Sequence, residues 1–143
     1  MPRHHECRSL PYSAAQMYNL VADVRAYPQF LPWVSAIRVR QDDDREMIAD
    51  MIVGFKNLRE TFSSRVVKTP TSSILVDYLD GPMKSLHNRW LFEDLPAGGS
   101  RVDFSVDFTF RNILFEAMAG QFFDGALRKM TGAFIARADD LYG

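Results

Sequence analysis

The sequence lacks most of the features that by themselves indicate a function. Its single cysteine, Cys7, excludes an internal disulfide framework and a multi-cysteine zinc site. Its 17 basic and 18 acidic residues are interspersed and give a net charge of −1, which argues against DNA as a partner. No apolar run approaches the roughly 18–20 residues of a membrane-spanning helix, and the first residues carry no signal-peptide core. We therefore expect a soluble intracellular protein.

What the chain has in quantity is bulky apolar side chains. Hydrophobic residues make up 47% of its 143 positions, and the aromatic residues comprise 11 phenylalanines, five tyrosines and two tryptophans. A chain of this length forms one ordinary domain and buries a core without disulfides or metals. We find no repeat, linker or low-complexity tract, so we expect a single domain over residues 1–143.

The first third of the sequence predicts a strand followed by a helix. Residues 3–10 indicate a strand, and Ser13 with Gln16 three residues later forms a capping box for a helix. Apolar residues at helical spacing extend this helix to Val24. A short helical turn over 28–31 is expected next, with Pro28 at its first position, since proline fits the first turn of a helix.

The middle of the chain changes to a period of two residues, which is typical of strands with one buried face. The predicted strands, separated by hairpin-length turns, are 33–41, 45–55, 58–69, 73–80, 85–95 and 100–111. Short turns between consecutive strands indicate an antiparallel sheet, because parallel strands need long crossover connections.

The last 30 residues return to a helical period with one broad apolar side. The expected fold class is therefore α+β, in the order β-α-α-β6-α. We expect the long C-terminal helix, which Asn112 can cap, to pack across the concave face of a strongly curved seven-stranded antiparallel sheet.

Three segments carry a resemblance to a known family. They are Ala22–Trp33 (ADVRAYPQFLPW), Asp80–Phe92 (DGPMKSLHNRWLF) and Ala133–Ala138 (AFIARA). Together they resemble the coenzyme Q-binding protein family, within the START or polyketide-cyclase-like superfamily, and the similarity extends over nearly the whole chain. The first two segments are fairly specific to the family, whereas the strand and helix patterns are generic.

The resemblance implies a helix-grip fold with a hydrophobic tunnel between sheet and helix. It also implies a non-catalytic role: binding ubiquinone, without a covalent cofactor, in support of respiratory electron transport. Eukaryotic members of the family carry a mitochondrial targeting extension that this sequence lacks. We therefore expect a bacterial cytoplasmic protein, with peripheral association at the inner membrane as the other placement.

Within this resemblance, the strand alternation and the C-terminal apolar stripe suggest a ligand-facing wall. If the even-numbered residues of the last strand face inward, the inward residues of the neighbouring strands follow from the same alternation. The apolar stripe of the C-terminal helix then forms the opposite wall. The expected ligand-binding residues are Tyr27, Phe30, Trp33, Phe62, Tyr78, Asn88, Trp90, Phe104, Met118, Phe122 and Met130. The two tryptophans are equally open to a plain core role. A stripe of phenylalanine and methionine at helical spacing is, taken alone, more typical of a core than of a cofactor site.

Polar residues interrupt the inward pattern at Glu60, Ser64 and Asn88. A buried polar group without a partner costs about 1–3 kcal/mol, so each needs one. Asn88, with Tyr78, is placed to hydrogen-bond the oxygens of a quinone ring; the alternative is a core asparagine paired with backbone. For Glu60 we expect an arginine partner or a place near the strand end, in water.

No catalytic or metal-binding motif is present. His4 and His5 are adjacent on a strand, so they point to opposite faces and cannot chelate one metal together. Two turns, 55–58 and 81–84, each place a large apolar residue beside a lysine, which suits transient contact with a membrane surface as well as an ordinary hairpin tip.

Two other functions are compatible with the sequence. Bacterial relatives with the same segments are ribosome-associated inhibitors of subunit joining, and a basic patch for RNA could draw on Arg38 and Arg40 with Arg65 or Lys68. A polyketide cyclase or dehydratase is the third hypothesis. It needs an acid or base inside the cavity, where only Glu60 or Tyr78 is available.

Overall fold

The computed structural model describes residues 3–55, 58–81, 83–111 and 113–143, and leaves the side chains at 55, 58, 110, 113–124 and 126 outside its description. The elements in chain order are β1 (Arg3–Leu10), α1 (Ala14–Ala22), a 3-10 helix (Val24–Gln29), β2 (Val34–Asp42), β3 (Glu46–Phe55), β4 (Leu58–Thr69), β5 (Ser73–Asp80), β6 (Met83–Asp94), β7 (Ser100–Phe110) and α2 (Ile113–Tyr142). The expected α+β order is confirmed.

The seven strands form one antiparallel sheet in the order β1-β7-β6-β5-β4-β3-β2. Register shifts interrupt the pairing of β2 with β3, of β4 with β5 and of β6 with β7. An extra residue on one strand bends it and increases its twist. These bulges are one source of the curvature that leaves a concave face for α2.

The capping box at the start of α1 is confirmed. The Ser13 side chain accepts the Gln16 N–H at 3.1 Å, and the Gln16 side chain accepts the Ser13 N–H at 2.9 Å. The helix ends earlier than expected, at Ala22, where the Asp23 N–H bonds the Asn19 carbonyl.

The predicted helical turn over 28–31 is wrong in its position and type. The chain instead forms the 3-10 helix Val24–Gln29, with Pro28 inside it. This tight turn tolerates proline next to its last residue, and it closes when Phe30 and Leu31 both donate to the Tyr27 carbonyl. Tyr27 is thereby buried, and its hydroxyl bonds back to the Val21 carbonyl.

The C-terminal half of α2 is anchored to α1 and to the corner that precedes it. Tyr12 donates a hydrogen bond to Asp139, and the Tyr142 hydroxyl donates to the Gln16 carbonyl at 3.2 Å. Phe134 and Ala138 are buried against the core. The expected capping residue Asn112 lies outside the described residues.

Removing the α1 cap should lower stability measurably. We expect Ser13→Ala to reduce the free energy of unfolding by about 1 kcal/mol, because the Gln16 N–H loses its acceptor. Urea unfolding followed by circular dichroism measures the change. The matched control is Ser9→Ala on the exposed side of β1, which should change stability by less than about 0.5 kcal/mol; equal losses in both variants would contradict the capping role.

Candidate ligand cavity

The concave face of the sheet and α2 do not fill the space between them. A cavity of about 310 Å³ lies there, at the lower end of the size range of small-molecule sites. Among the described residues, its wall comes from α1, the 3-10 helix, strands β2 to β7 and, on α2, Leu127, Met130 and Phe134. The hollow interior therefore lies where the helix-grip resemblance expects a tunnel.

The wall is almost entirely apolar. Among its described residues, all are aliphatic or aromatic except Ser64 and Asn88, and none carries a carboxylate, an imidazole or an amine. Among the described lining residues, the one ionisable side chain is that of Tyr27, whose hydroxyl donates to the Val21 carbonyl. Burial, with a smaller contribution from Asp23, raises the pKa of Tyr27 far above its ordinary value. The phenol stays protonated and its proton is already engaged.

An aromatic cluster forms one side of the cavity. The Trp90 ring centroid lies 4.5 Å from that of Phe104 and 5.2 Å from that of Phe134. Phe134 continues the contact to Tyr27 at 5.3 Å in an edge-to-face arrangement. These rings meet at tilted or edge-to-face angles, and together they form one aromatic side of the cavity.

Two polar side chains reach the apolar wall. Asn88 donates to the Ser105 carbonyl at 3.1 Å and accepts the Trp90 indole N–H at 3.1 Å. An amide has two donors and two acceptor sites, so these two bonds leave one N–H and one lone pair of Asn88 free. Within the described part of the chain, the Ser64 hydroxyl has no hydrogen-bond partner. The cavity therefore offers hydrogen bonds at two separate points on its wall.

The structure brings most of the expected site residues together. Seven line the cavity: Tyr27, Trp33, Phe62, Asn88, Trp90, Phe104 and Met130. The side chains of Met118 and Phe122 lie outside the description. The sequence interpretation missed Leu127 and Phe134, both of which line the cavity, although both belong to the apolar stripe on which Met130 was chosen.

Two expected site residues are not on the cavity wall, which corrects the sequence interpretation. Phe30 packs edge-to-face on Tyr27 and Phe134, with the Arg137 guanidinium 5.4 Å from its ring centroid, so it lies behind the wall. Tyr78 directs its hydroxyl to the Met83 N–H at 2.9 Å and closes the β5–β6 turn.

Glu60 is exposed, which agrees with the expectation that it lies in water. It therefore offers no acid inside the cavity. Of the two turns considered for membrane contact, Met83 is buried and Lys84 is exposed, while residues 56, 57 and 82 lie outside the described part.

The two adjacent histidines lie on opposite faces of β1, as expected. The His4 side chain is 8% exposed and pairs with Glu6 at 2.7 Å, whereas that of His5 is 61% exposed and pairs with Asp103 at 2.9 Å. Among the described residues, no group of three or more histidine, cysteine, aspartate or glutamate side chains could hold a metal ion.

Most of the basic residues considered for RNA contact are paired with carboxylates. Arg40 lies 3.0 Å from Asp50, and Arg65 lies 3.5 Å from Glu46. Lys68 lies 2.7 Å from Asp42, whose pKa is lowered chiefly by this hydrogen bond. The positive charge on this face is thus largely compensated within the protein. In the described chain, no helix is both long enough and apolar enough to cross a membrane.

Known proteins match this chain over most of its length. Residues 10–135 match the family described as polyketide cyclase / dehydrase and lipid transport. The chain is 38% identical over 142 residues to the ribosome association toxin RatA of Escherichia coli K12, covering 99% of this chain and 90% of that protein. It is 36% identical over 129 residues to the mitochondrial coenzyme Q-binding protein of Drosophila melanogaster, covering 87% of this chain and 53% of that protein.

Solved structures match over the full fold. An 18 kDa protein from Caulobacter crescentus is 39% identical, with a TM-score of 0.79, over 100% of this chain and 99% of that one. The Zhui aromatase/cyclase of a Streptomyces species superimposes with a TM-score of 0.80 over 96% and 93% of the two chains. At 15% identity it shows a shared fold only.

Proposed function

This chain belongs to the polyketide cyclase / dehydrase and lipid transport family, and on that premise we propose that it binds an isoprenoid quinone, ubiquinone or a close relative, between its sheet and α2. The protein acts as a quinone chaperone in support of respiratory electron transport, not as an enzyme. We place it in the bacterial cytoplasm, meeting the inner membrane transiently to exchange its ligand.

The cavity is the observation that carries this proposal. An apolar space with a few placed polar groups is what a ligand with a large hydrocarbon part and few oxygens needs. The Trp90 and Phe104 rings are tilted by 44° to each other, so the face of one of them suits stacking on a quinone ring. The free N–H of Asn88 and the Ser64 hydroxyl suit its carbonyl oxygens. A mitochondrial relative named as a coenzyme Q-binding protein supports the same class of ligand.

The lack of an acid or base on the described wall supports binding over catalysis. A cyclase or dehydratase moves protons, and a group that does so has to reach the substrate with a suitable pKa. Glu60 is exposed, Tyr78 bonds the Met83 N–H and the Tyr27 proton is held by Val21. None of the three is poised for proton transfer inside the cavity.

Extraction of the purified protein tests the proposal. The protein, expressed in a ubiquinone-producing bacterium and purified without detergent, is extracted with organic solvent and the extract analysed by mass spectrometry. We expect an isoprenoid quinone at a substantial fraction of the protein concentration. Repeated recovery of quinone-free protein, with no uptake of added quinone, would overturn the proposal.

Asn88 gives a test at a single side chain. We expect Asn88→Leu to weaken binding of a dimethoxy-methyl-benzoquinone by about tenfold, the scale of one good hydrogen bond. The matched control is His87→Leu, on the outward face of the same strand. Fluorescence titration measures both affinities, and an unchanged affinity in Asn88→Leu would remove this residue from the site.

Ribosome association is the second candidate function, because the chain is 38% identical to a ribosome association toxin over nearly its whole length. The compensated charge of Arg40, Arg65 and Lys68 argues against RNA contact through that face. Sedimentation with large ribosomal subunits at moderate salt decides the question. Stoichiometric co-sedimentation would favour this function, and recovery of the protein in the supernatant would exclude it.

A further inference from the structure

The hairpin formed by β5 and β6 is only partly paired. Its ladder runs from Ser73 opposite Leu91 to Asp77 opposite His87 and stops there. Both strands nevertheless extend further toward the turn, to Asp80 on β5 and from Met83 on β6. The residue numbers of each pair in this ladder sum to 164, so the same register would place Leu79 opposite Ser85. Among the described residues of the hairpin, no pairing is present at that level.

Two bulges open this end of the hairpin. Ser63 and Ser64 are adjacent on β4 yet face Asp80 and Tyr78, which leaves Leu79 as an extra residue on β5. On β6, Met83 and Ser85 face adjacent residues of β7, which leaves Lys84 as an extra residue. Bulges bend the strand that carries them and disrupt the local ladder. We call the unpaired stretch between 78–80 and 84–86 the seam.

The seam borders the cavity, and the side chain of Tyr78 reaches across it. Val76 and Leu86, just beside it, both line the cavity. Tyr78 starts on β5 and reaches β6, where its hydroxyl accepts the Met83 N–H at 2.9 Å. A Cβ at Gly81 would lie 2.8 Å from that hydroxyl, so the glycine is what lets the tyrosine lie there. On the outer side, Leu79 is 48% exposed.

The cavity is too small for a whole isoprenoid quinone. At roughly 20–30 Å³ for each non-hydrogen atom, a volume of 310 Å³ accommodates only the substituted ring. A long tail has to leave the cavity somewhere.

We propose that the ring of the ligand occupies the cavity while its hydrocarbon tail passes through the seam, with Tyr78 as the side chain that opens and closes it. This inference rests on the proposed function. Leu79 and, four residues earlier on β5, Leu75 (39% exposed) are exposed on the outer face. They provide apolar surface where the tail emerges. Tail length then changes affinity through the seam, independently of the ring contacts.

Cross-linking the seam tests this proposal. In a Cys7→Ser background, Leu79→Cys with Ser85→Cys is bridged by a short bis-maleimide, and binding is measured before and after bridging. The probes are the benzoquinone ring alone and the same ring with a decyl tail. We expect bridging to weaken binding of the tailed quinone by at least about tenfold and to leave the ring-only probe unchanged. The control bridges Ser73→Cys to Leu91→Cys, a paired position of the same strands at the end of the ladder away from the seam, and should affect neither probe.

The outcomes separate the two proposals. If the wild type binds neither probe, the proposed function fails and this inference fails with it. If the wild type binds both probes and bridging the seam leaves the tailed quinone unaffected, the tail leaves elsewhere and only the seam is refuted. In unbridged protein, Tyr78→Phe should speed association of the tailed quinone several-fold by removing the bond to Met83; an unchanged rate would refute the role of Tyr78.

Discussion

Replacing Ala49 with phenylalanine should abolish the proposed quinone binding without unfolding the protein. Ala49 is 5% exposed and lines the cavity, so a phenyl group there enters space that the wild type leaves open. Filling a true cavity stabilises a protein by about 0.5–2 kcal/mol. We therefore expect Ala49→Phe to unfold at an equal or higher urea concentration. Its quinone content, by extraction and mass spectrometry, should fall at least about tenfold.

A second buried alanine provides the contrast. Ala14 is 3% exposed and does not line the cavity. A phenylalanine there overpacks a filled region, which costs about 1–3 kcal/mol. If Ala49→Phe destabilises the protein as much as Ala14→Phe does, the interior at Ala49 is already occupied by side chains, and the cavity does not exist in solution.

Trp90→Ala should produce the largest loss of stability of any substitution in the cavity wall. Trp90 is 6% exposed, contacts Phe104 and Phe134, and donates its indole N–H to Asn88. Truncating a buried tryptophan costs about 3–5 kcal/mol, which in a chain of this size lowers the midpoint of thermal unfolding by about 10–15 °C. Differential scanning calorimetry measures this change.

The next residue along the strand serves as the control for this prediction. Leu91 is 37% exposed on the opposite face of β6, and Leu91→Ala should cost about 0.5 kcal/mol or less. If Trp90→Ala melted within about 2 °C of Leu91→Ala, the aromatic cluster would not be the packed wall described above.

The strands were predictable because one face of the sheet is buried. Alternation in the stretch Val102–Phe110 sets its inward residues, and a shift of one residue would expose all of them. The described residues Phe104, Val106 and Phe108 are buried as this argument requires. The same reasoning placed Asn88 and Trp90 on the inner face, where the structure has them.

What the sequence could not reveal depends on individual side-chain contacts and on irregularities in the strands. The 3-10 helix at Val24–Gln29 is stabilised partly by the hydrogen bond from the Tyr27 hydroxyl to the Val21 carbonyl. Helix propensities of single residues do not predict such a bond. The alternation of apolar residues predicts Tyr78 on the inner face, yet its hydroxyl accepts a hydrogen bond from the Met83 N–H. Tyr78 lies beside a β-bulge, and the hydrophobic period of the sequence does not predict bulges. Nor can residue types reveal an empty volume, because the same stripe of phenylalanine and methionine fills a solid core equally well.

Quinone titration of the wild-type protein is the most direct measurement of whether the cavity binds such a ligand. Both tryptophans, Trp33 and Trp90, line the cavity, so a quinone ring bound there quenches their fluorescence. We expect saturable quenching by a decyl-tailed benzoquinone, with one ligand bound per chain, and loss of this quenching in Ala49→Phe. Quenching that rises linearly with quinone concentration, or that is identical in the two proteins, would contradict it.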